Sequence, residues 1–171
     1  MEEWIDEDLD EREKAARVFD QTVLREPIRR LDPRGPLSLP ARATVRDAIR
    51  LMREHRVGCV LVVDGERLTG ILTERDLLLK LEEASLTASI VDLMTPEPEV
   101  LSPDDPIAWA LNKMSVGGFR HVPLVDHAGC PVGIISVKDV IDYLADVFAD
   151  DVLTVPPNPA RAGLWQGRDG G

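Results

Sequence analysis

Gly70-Ile71-Leu72-Thr73-Glu74-Arg75-Asp76 is answered 63 residues later by Gly133-Ile134-Ile135-Ser136-Val137-Lys138-Asp139. Each heptad holds a glycine, two aliphatics, a hydroxyl residue and, three positions on, an aspartate. The match extends upstream. At a spacing of 62, Val45, Ala48, Ile49 and Met52 fall on Ile107, Ala110, Leu111 and Met114. Val60, Val63 and Asp64 fall on Val122, Val125 and Asp126, and Ile28 and Leu31 fall on Ile90 and Leu93. One residue is inserted in a turn between the two registers. The chain is therefore an internal duplication, and each copy is one structural unit.

Periodicity gives each unit its elements. Residues 45, 48, 49 and 52 are apolar at helical spacing, as are their counterparts after Pro106. Cys59–Asp64 is a short β-branched run closed by Asp64-Gly65, which predicts a hairpin with a return strand over Leu68–Leu72. Thr73 opens a second helix through Leu77, Leu78 and Leu81. The second copy predicts strands at His121–Asp126 and Val132–Ile135, a turn at His127–Gly129 and a helix from Ser136. Short extended pieces are expected at Leu37–Leu39 and Val100–Leu101. The unit reads β-α-β-β-α, and the class is α+β. Neither copy, at under about 60 residues, buries enough surface to be comfortable alone. Continuous apolar strands call for cover on both faces, so two sheets sharing a core are expected.

The expected organisation is an acidic helix over 1–27, one copy over 28–85, the second over 86–149 and a Pro/Gly-rich flexible tail over 150–171. Ile5, Leu9, Ala16, Phe19 and Val23 form a stripe by which the first helix is expected to pack on its own module or on a dimer mate. Trp165 stands alone in the tail.

Charge and composition exclude several classes. The 171 residues carry a net charge of −11, a poor match for nucleic acid or an anionic membrane. Ten acids face four bases over residues 1–26, whereas residues 27–85 hold eleven bases against nine acids. Those arginines suit either a solvated helix face or a small phosphorylated ligand. No apolar run is long enough to span a bilayer, and no signal peptide is read at the start. Cys59 and Cys130 make neither a disulfide framework nor a zinc site, so a cytoplasmic protein with reduced thiols is expected. No P-loop, G-x-S-x-G, H-E-x-x-H or C-x-x-C occurs, so no enzyme, metal site or cofactor is expected.

The heptads carry two readings. Thr73 and Ser136 are good N-caps, and an acid three residues later completes a capping box. The same geometry aims backbone N–H groups at whatever precedes the helix and favours a phosphate there, with Arg75 or Lys138 adding charge. A carboxylate one turn in can accept bonds from paired ribose hydroxyls.

The tandem β-α-β-β-α unit with G-h-x-[ST]-x-x-D at each end resembles a pair of cystathionine-β-synthase (CBS) domains, a Bateman module, over about residues 28–148. Phe119-Arg120-His121-Val122-Pro123-Leu124-Val125-Asp126 matches the family's second-strand pattern. The resemblance implies a pseudo-twofold pair whose two clefts bind adenosine ligands: AMP, ADP, ATP or S-adenosylmethionine. It implies that Asp76 and Asp139 hold ribose and that Thr73 and Ser136 lie near phosphate. It implies that Arg120 and His121 face phosphate, that Leu37 and Val100 border the base, and that Val122 and Pro123 form an apolar wall. On this reading Asp139, Ser136 and Lys138 share the better site with Arg120, His121 and Pro123. The first copy has Gly58-Cys59-Val60-Leu61 in place of Arg120-His121-Val122-Pro123, leaving Arg56 or Arg75 to stand in.

Two functions follow. One is a regulatory, non-catalytic sensor of adenine nucleotides that acts on a separate target protein. The other is a nucleotide-independent dimerisation or protein-interaction module. A homodimer is expected in either case, through helix surfaces that include Val140, Ile141, Leu144, Val147 and Phe148.

Overall fold

The computed structural model describes residues 22–80 and 86–148. Most of the predicted first helix, Leu81 and Trp165 lie outside them. Residues 22–25 are helical and bury Val23.

In the first copy, β1 (Ser38–Pro40) runs parallel to β2 (Cys59–Asp64), which pairs antiparallel with β3 (Arg67–Thr73). Helix α1 (Val45–His55) lies between β1 and β2, and α2 (Glu74–Lys80) follows β3. The α1 start is fixed by its sequence. Thr44 Oγ1 accepts from Asp47 N at 3.2 Å, and Thr44 N donates to Asp47 Oδ2 at 3.1 Å, satisfying two backbone donors at once. The helix buries Val45, Ala48 and Met52. Cys59 through Val62 are all buried, as the continuous apolar run requires.

The second copy repeats this with α3 (Ile107–Gly117), β5 (His121–Val125), β6 (Pro131–Ser136) and α4 (Val137–Val147). Its first strand shrinks to one parallel bridge, Leu101 to Leu124.

Two apolar positions read from the sequence stand differently in the structure. Leu78 is 82% exposed, because α2 turns only Leu77 inward over its short length. Val140 is wholly buried and unavailable for docking, whereas Ile141 is exposed.

The duplication does not fold as two beads. β4 (Thr95–Pro96), at the start of the second copy, pairs antiparallel with β3 of the first. Arg34, its counterpart in the first copy, bridges Ile134 on β6 of the second. The short 3₁₀ turns follow the same exchange. Ile90 N donates to Ala43 O and Ile28 N to Asp105 O, so each turn sits against the first helix of the other copy. Ile90 and Leu93 complete the core formed by Val45, Ala48, Val60 and Leu72. Burying a side chain of that size stabilises by about 1.5–3 kcal/mol, so each copy depends on the other's leading segment. The pseudo-twofold is written into these reciprocal hydrogen bonds. The motif glycines mark the crossings. A Cβ on Gly70 would collide with Met94 Sδ, and one on Gly133 would press on Pro33 and Arg34.

Candidate functional site

Both heptads end a strand and start a helix, and their chemistry is set there. On the β2–β3 ladder Cys59 stands opposite Thr73, and on β5–β6 His121 stands opposite Ser136. The first helical N–H groups are taken by the residue just ahead of the neighbouring strand: Glu74 N donates to Gly58 O, before β2, and Val137 N to Arg120 O, before β5.

Both aspartates do cap. Thr73 N and Oγ1 donate to Asp76 Oδ2 at 3.0 and 2.6 Å. Ser136 N and Oγ donate to Asp139 Oδ2, both at 2.6 Å. They differ at the second oxygen. Asp76 Oδ1 accepts from Lys80 Nζ at 3.0 Å and from Thr95 Oγ1 at 3.5 Å. Burial raises the Asp76 pKa, but the Thr73 and Lys80 hydrogen bonds outweigh it and hold the carboxyl below the usual carboxylate range. Asp139 Oδ1 has no hydrogen-bond partner among the described residues, and Asp139 lines a cleft of about 320 Å³.

That cleft is built from both copies. Ser136, Lys138, Asp139 and His121 come from the second, and Leu37, Arg56, Gly58, Cys59 and Leu61 from the first. Arg34 reaches it on the exchanged segment. Leu37, Val57, Leu61, Ile134 and Ile135 supply an apolar wall. Arg34, Arg56 and Lys138 supply three cations against one carboxylate, so the cleft favours an anion.

A second cleft of about 290 Å³ holds Thr73, Phe119, Arg120 and His121 beside Glu97 and Glu99. Glu99 also pairs with Lys113. Arg75 and Glu74 join Thr73, Arg120 and His121 around a smaller cavity of about 70 Å³, and Arg75 Nη1 donates to Gly118 O at 3.1 Å.

The expected grouping is therefore crossed. Arg120 sits with Thr73 and Arg75, not with Asp139, because the pseudo-twofold brings each motif helix to the other copy's strand start. Leu37 sits with Asp139. Asp76, Val100, Val122 and Pro123 line neither cleft. Val122 is wholly buried on the opposite face of β5 from His121, as strand alternation requires. Arg34 and His55 line the Asp139 cleft without being singled out by the sequence. Arg34 lies well before either heptad, and only the strand exchange brings it there.

Burial, then the Arg120 charge, lowers the His121 pKa, against upward pulls from Asp139 and Glu74. Burial pushes the Cys59 thiol up to about 12, which makes it an inert wall residue. Among the described residues no group of His, Cys, Asp and Glu could hold a metal ion, and no helix is long and apolar enough to cross a membrane.

Comparison with known proteins agrees with this geometry. The CBS-domain family model matches residues 28–83 and 90–146. An uncharacterised 17.7 kDa protein of Acidianus ambivalens is 32% identical over 105 residues, covering 61% of this chain and 64% of that one. A mitochondrial CBS domain-containing protein of Arabidopsis thaliana is 33% identical over 106 residues, covering 57% and 51%. The match thus spans about half to two thirds of these relatives' length. A CBS-domain protein from Agrobacterium tumefaciens superposes with a TM-score of 0.63 at 28% identity, covering 69% of this chain and 98% of that one. A Pyrobaculum aerophilum CBS domain protein complexed with AMP gives 0.63 at 27%, covering 70% and 98%. With the family model matched twice, on the two halves of the duplication, the chain belongs to the CBS-domain family as a tandem pair.

Proposed function

We propose that this protein is a regulatory sensor of adenine nucleotides and that its ligand occupies the Asp139 cleft. The observation that carries the reading is the open oxygen of Asp139, at the edge of a cleft holding both cations and an apolar wall. A ribose diol can donate to Asp139 while Oδ2 keeps its cap. Arg34, Arg56 and Lys138 suit phosphates, and the aliphatic wall suits a purine. The AMP complex of the Pyrobaculum relative supports the same ligand class. Three cations favour AMP, ADP or ATP over S-adenosylmethionine, which brings positive charge of its own. The second cleft, which no motif aspartate lines and whose wall carries Glu97 and Glu99, is the weaker site. Calorimetry and thermal shift with AMP, ADP, ATP, S-adenosylmethionine and NAD test this. A phosphorylated nucleotide should bind one strong site per chain. No response to any of them at millimolar concentration would remove the reading and leave the assembly module in its place.

The protein is further proposed to act on a separate target as a homodimer. Leu78, Leu79, Trp109 and Val116 are each more than half exposed, which supports pairing through α2 and α3. A light-scattering mass of one chain at micromolar concentration would count against it.

A further inference from the structure

Among the described residues, His121 is the one side chain common to the Asp139 cleft, the Thr73 cleft and the small cavity beside Arg75. It stands directly opposite Ser136 on the β5–β6 ladder, a position that places Cβ atoms about 5 Å apart. Both side chains face the Asp139 cleft, at the N-terminal end of α4. A phosphate near Ser136 is therefore within reach of the imidazole. The ring makes no hydrogen bond to the described residues, and no buried side-chain nitrogen or oxygen among them is stranded. Its nitrogens are thus accessible, in a side chain that lines the cleft.

Charges of both signs surround it. Arg120 on β5 opposes protonation, while Asp139 on α4 and Glu74 on α2 favour it. Glu74 and His121 converge on one side of Gly58: a Cβ there would lie 3.3 Å from Glu74 Oε2 and 3.6 Å from His121 Cε1. Lys138, Arg34 and, at the end of α1, Arg56 and His55 line the same cleft, and Arg75 the small cavity. Burial, with the Arg120 charge, favours the neutral imidazole. A phosphate dianion beside it would reverse that local balance.

We propose, on the reading above, that His121 couples ligand binding to proton uptake: phosphate in the Asp139 cleft draws a proton onto the imidazole, so AMP binds more tightly as pH falls through neutrality. The sign follows from linkage. A histidine whose pKa rises on binding adds affinity that is fully present below its free-state pKa and lost as pH rises through its bound-state pKa. One proton taken up in full changes affinity about tenfold per pH unit within that window.

The test is calorimetry of AMP binding at several pH values from about 6.5 to about 8, in two buffers of different ionisation enthalpy. The wild type should show uptake of a fraction of a proton near neutrality and an affinity several-fold higher at the acid end. H121Q should bind AMP with much less uptake and a flatter profile, leaving only the phosphate's own titration, and H127Q, in the exposed turn after β5, should keep the wild-type profile, with H55Q measured beside them. H121N serves if H121Q does not melt cooperatively. Equal uptake in the wild type and the His121 variants, or loss of uptake in H55Q instead, overturns the coupling and leaves nucleotide binding standing. No AMP binding at any pH overturns both.

Discussion

Replacing Asp139 by alanine tests the site against the helix cap that shares its atoms. Without ligand, the variant loses two hydrogen bonds from Ser136 to Oδ2. Loss of such a cap costs about 1 kcal/mol, or roughly 3 °C in a chain of this size. With ligand the structure predicts more. Nucleotide at a hundredfold excess over its Kd stabilises the wild type by about 2.7 kcal/mol, roughly 8 °C. Hydrogen bonds to a charged acceptor contribute about 1.5–3 kcal/mol. Losing about 2 kcal/mol weakens Kd roughly thirtyfold, so the same ligand concentration stands only about threefold above it. The ligand then adds about 0.8 kcal/mol, and the shift falls to roughly 2–3 °C. Asp76→Ala is the matched control. It loses an equivalent cap and also the Lys80 pair, a partly screened contact across side chains 43% and 14% exposed. Its unliganded melting point should fall at least as far as that of Asp139→Ala, yet its ligand shift should stay near the wild-type value. The assay is a thermal melt of the three proteins with and without ligand. If Asp139→Ala melts lower but keeps its full shift, Asp139 is a cap and nothing more. If Asp76→Ala loses the shift instead, the ligand is held at the first motif and the Asp139 assignment is wrong.

Cys59 should resist a thiol reagent at about pH 8 in the native protein, being buried with its pKa near 12, while the half-buried Cys130 reacts faster; equal rates would contradict the packing of β2. The Asp76 carboxyl, held below its ordinary 3.8, should contribute stability that is fully present above that value and lost as acid titrates it through its lowered folded-state pKa. Asp76→Asn should flatten that acid limb in a pH series of melts, and an unaltered limb would refute the assignment. Gly70→Val should destabilise by about 1–3 kcal/mol, because its side chain would meet Met94 where the second copy crosses β3. Truncating the obstacle in Gly70→Val with Met94→Ala should recover part of the loss in denaturant titration, and strict additivity would argue against the crossing.

Much of the architecture is local and was legible in the chain. The β-branched run Cys59–Asp64 turns at Gly65, whose φ of +59° suits a residue without a Cβ. Thr73 with Asp76 and Ser136 with Asp139 form their capping boxes from residues three apart. The class, the repeat and both motif helices follow from such short-range patterns, because period and capping chemistry act within a few residues. Which residues meet across the clefts is a different kind of fact. Thr95–Pro96 joins β3 and Arg34 joins β6 because each copy leaves an open sheet edge that the other's leading segment can fill. Those segments are short and carry no alternation, so nothing in them announces a strand. The exchange brings Arg34 and Leu37 to Asp139, and the pseudo-twofold carries Arg120 to Thr73. The two aspartates, identical by motif, differ chiefly through a local contact: Lys80, one turn on in the same helix, holds Asp76 Oδ1, with Thr95 of the exchanged segment at 3.5 Å, whereas Tyr143 stands in the place of Lys80 after Asp139. The sequence alone determined where carboxylates and helix starts would stand; the closing of each sheet by the other copy decided which side chains meet them across the clefts, because edge pairing and core burial act between residues far apart in the chain.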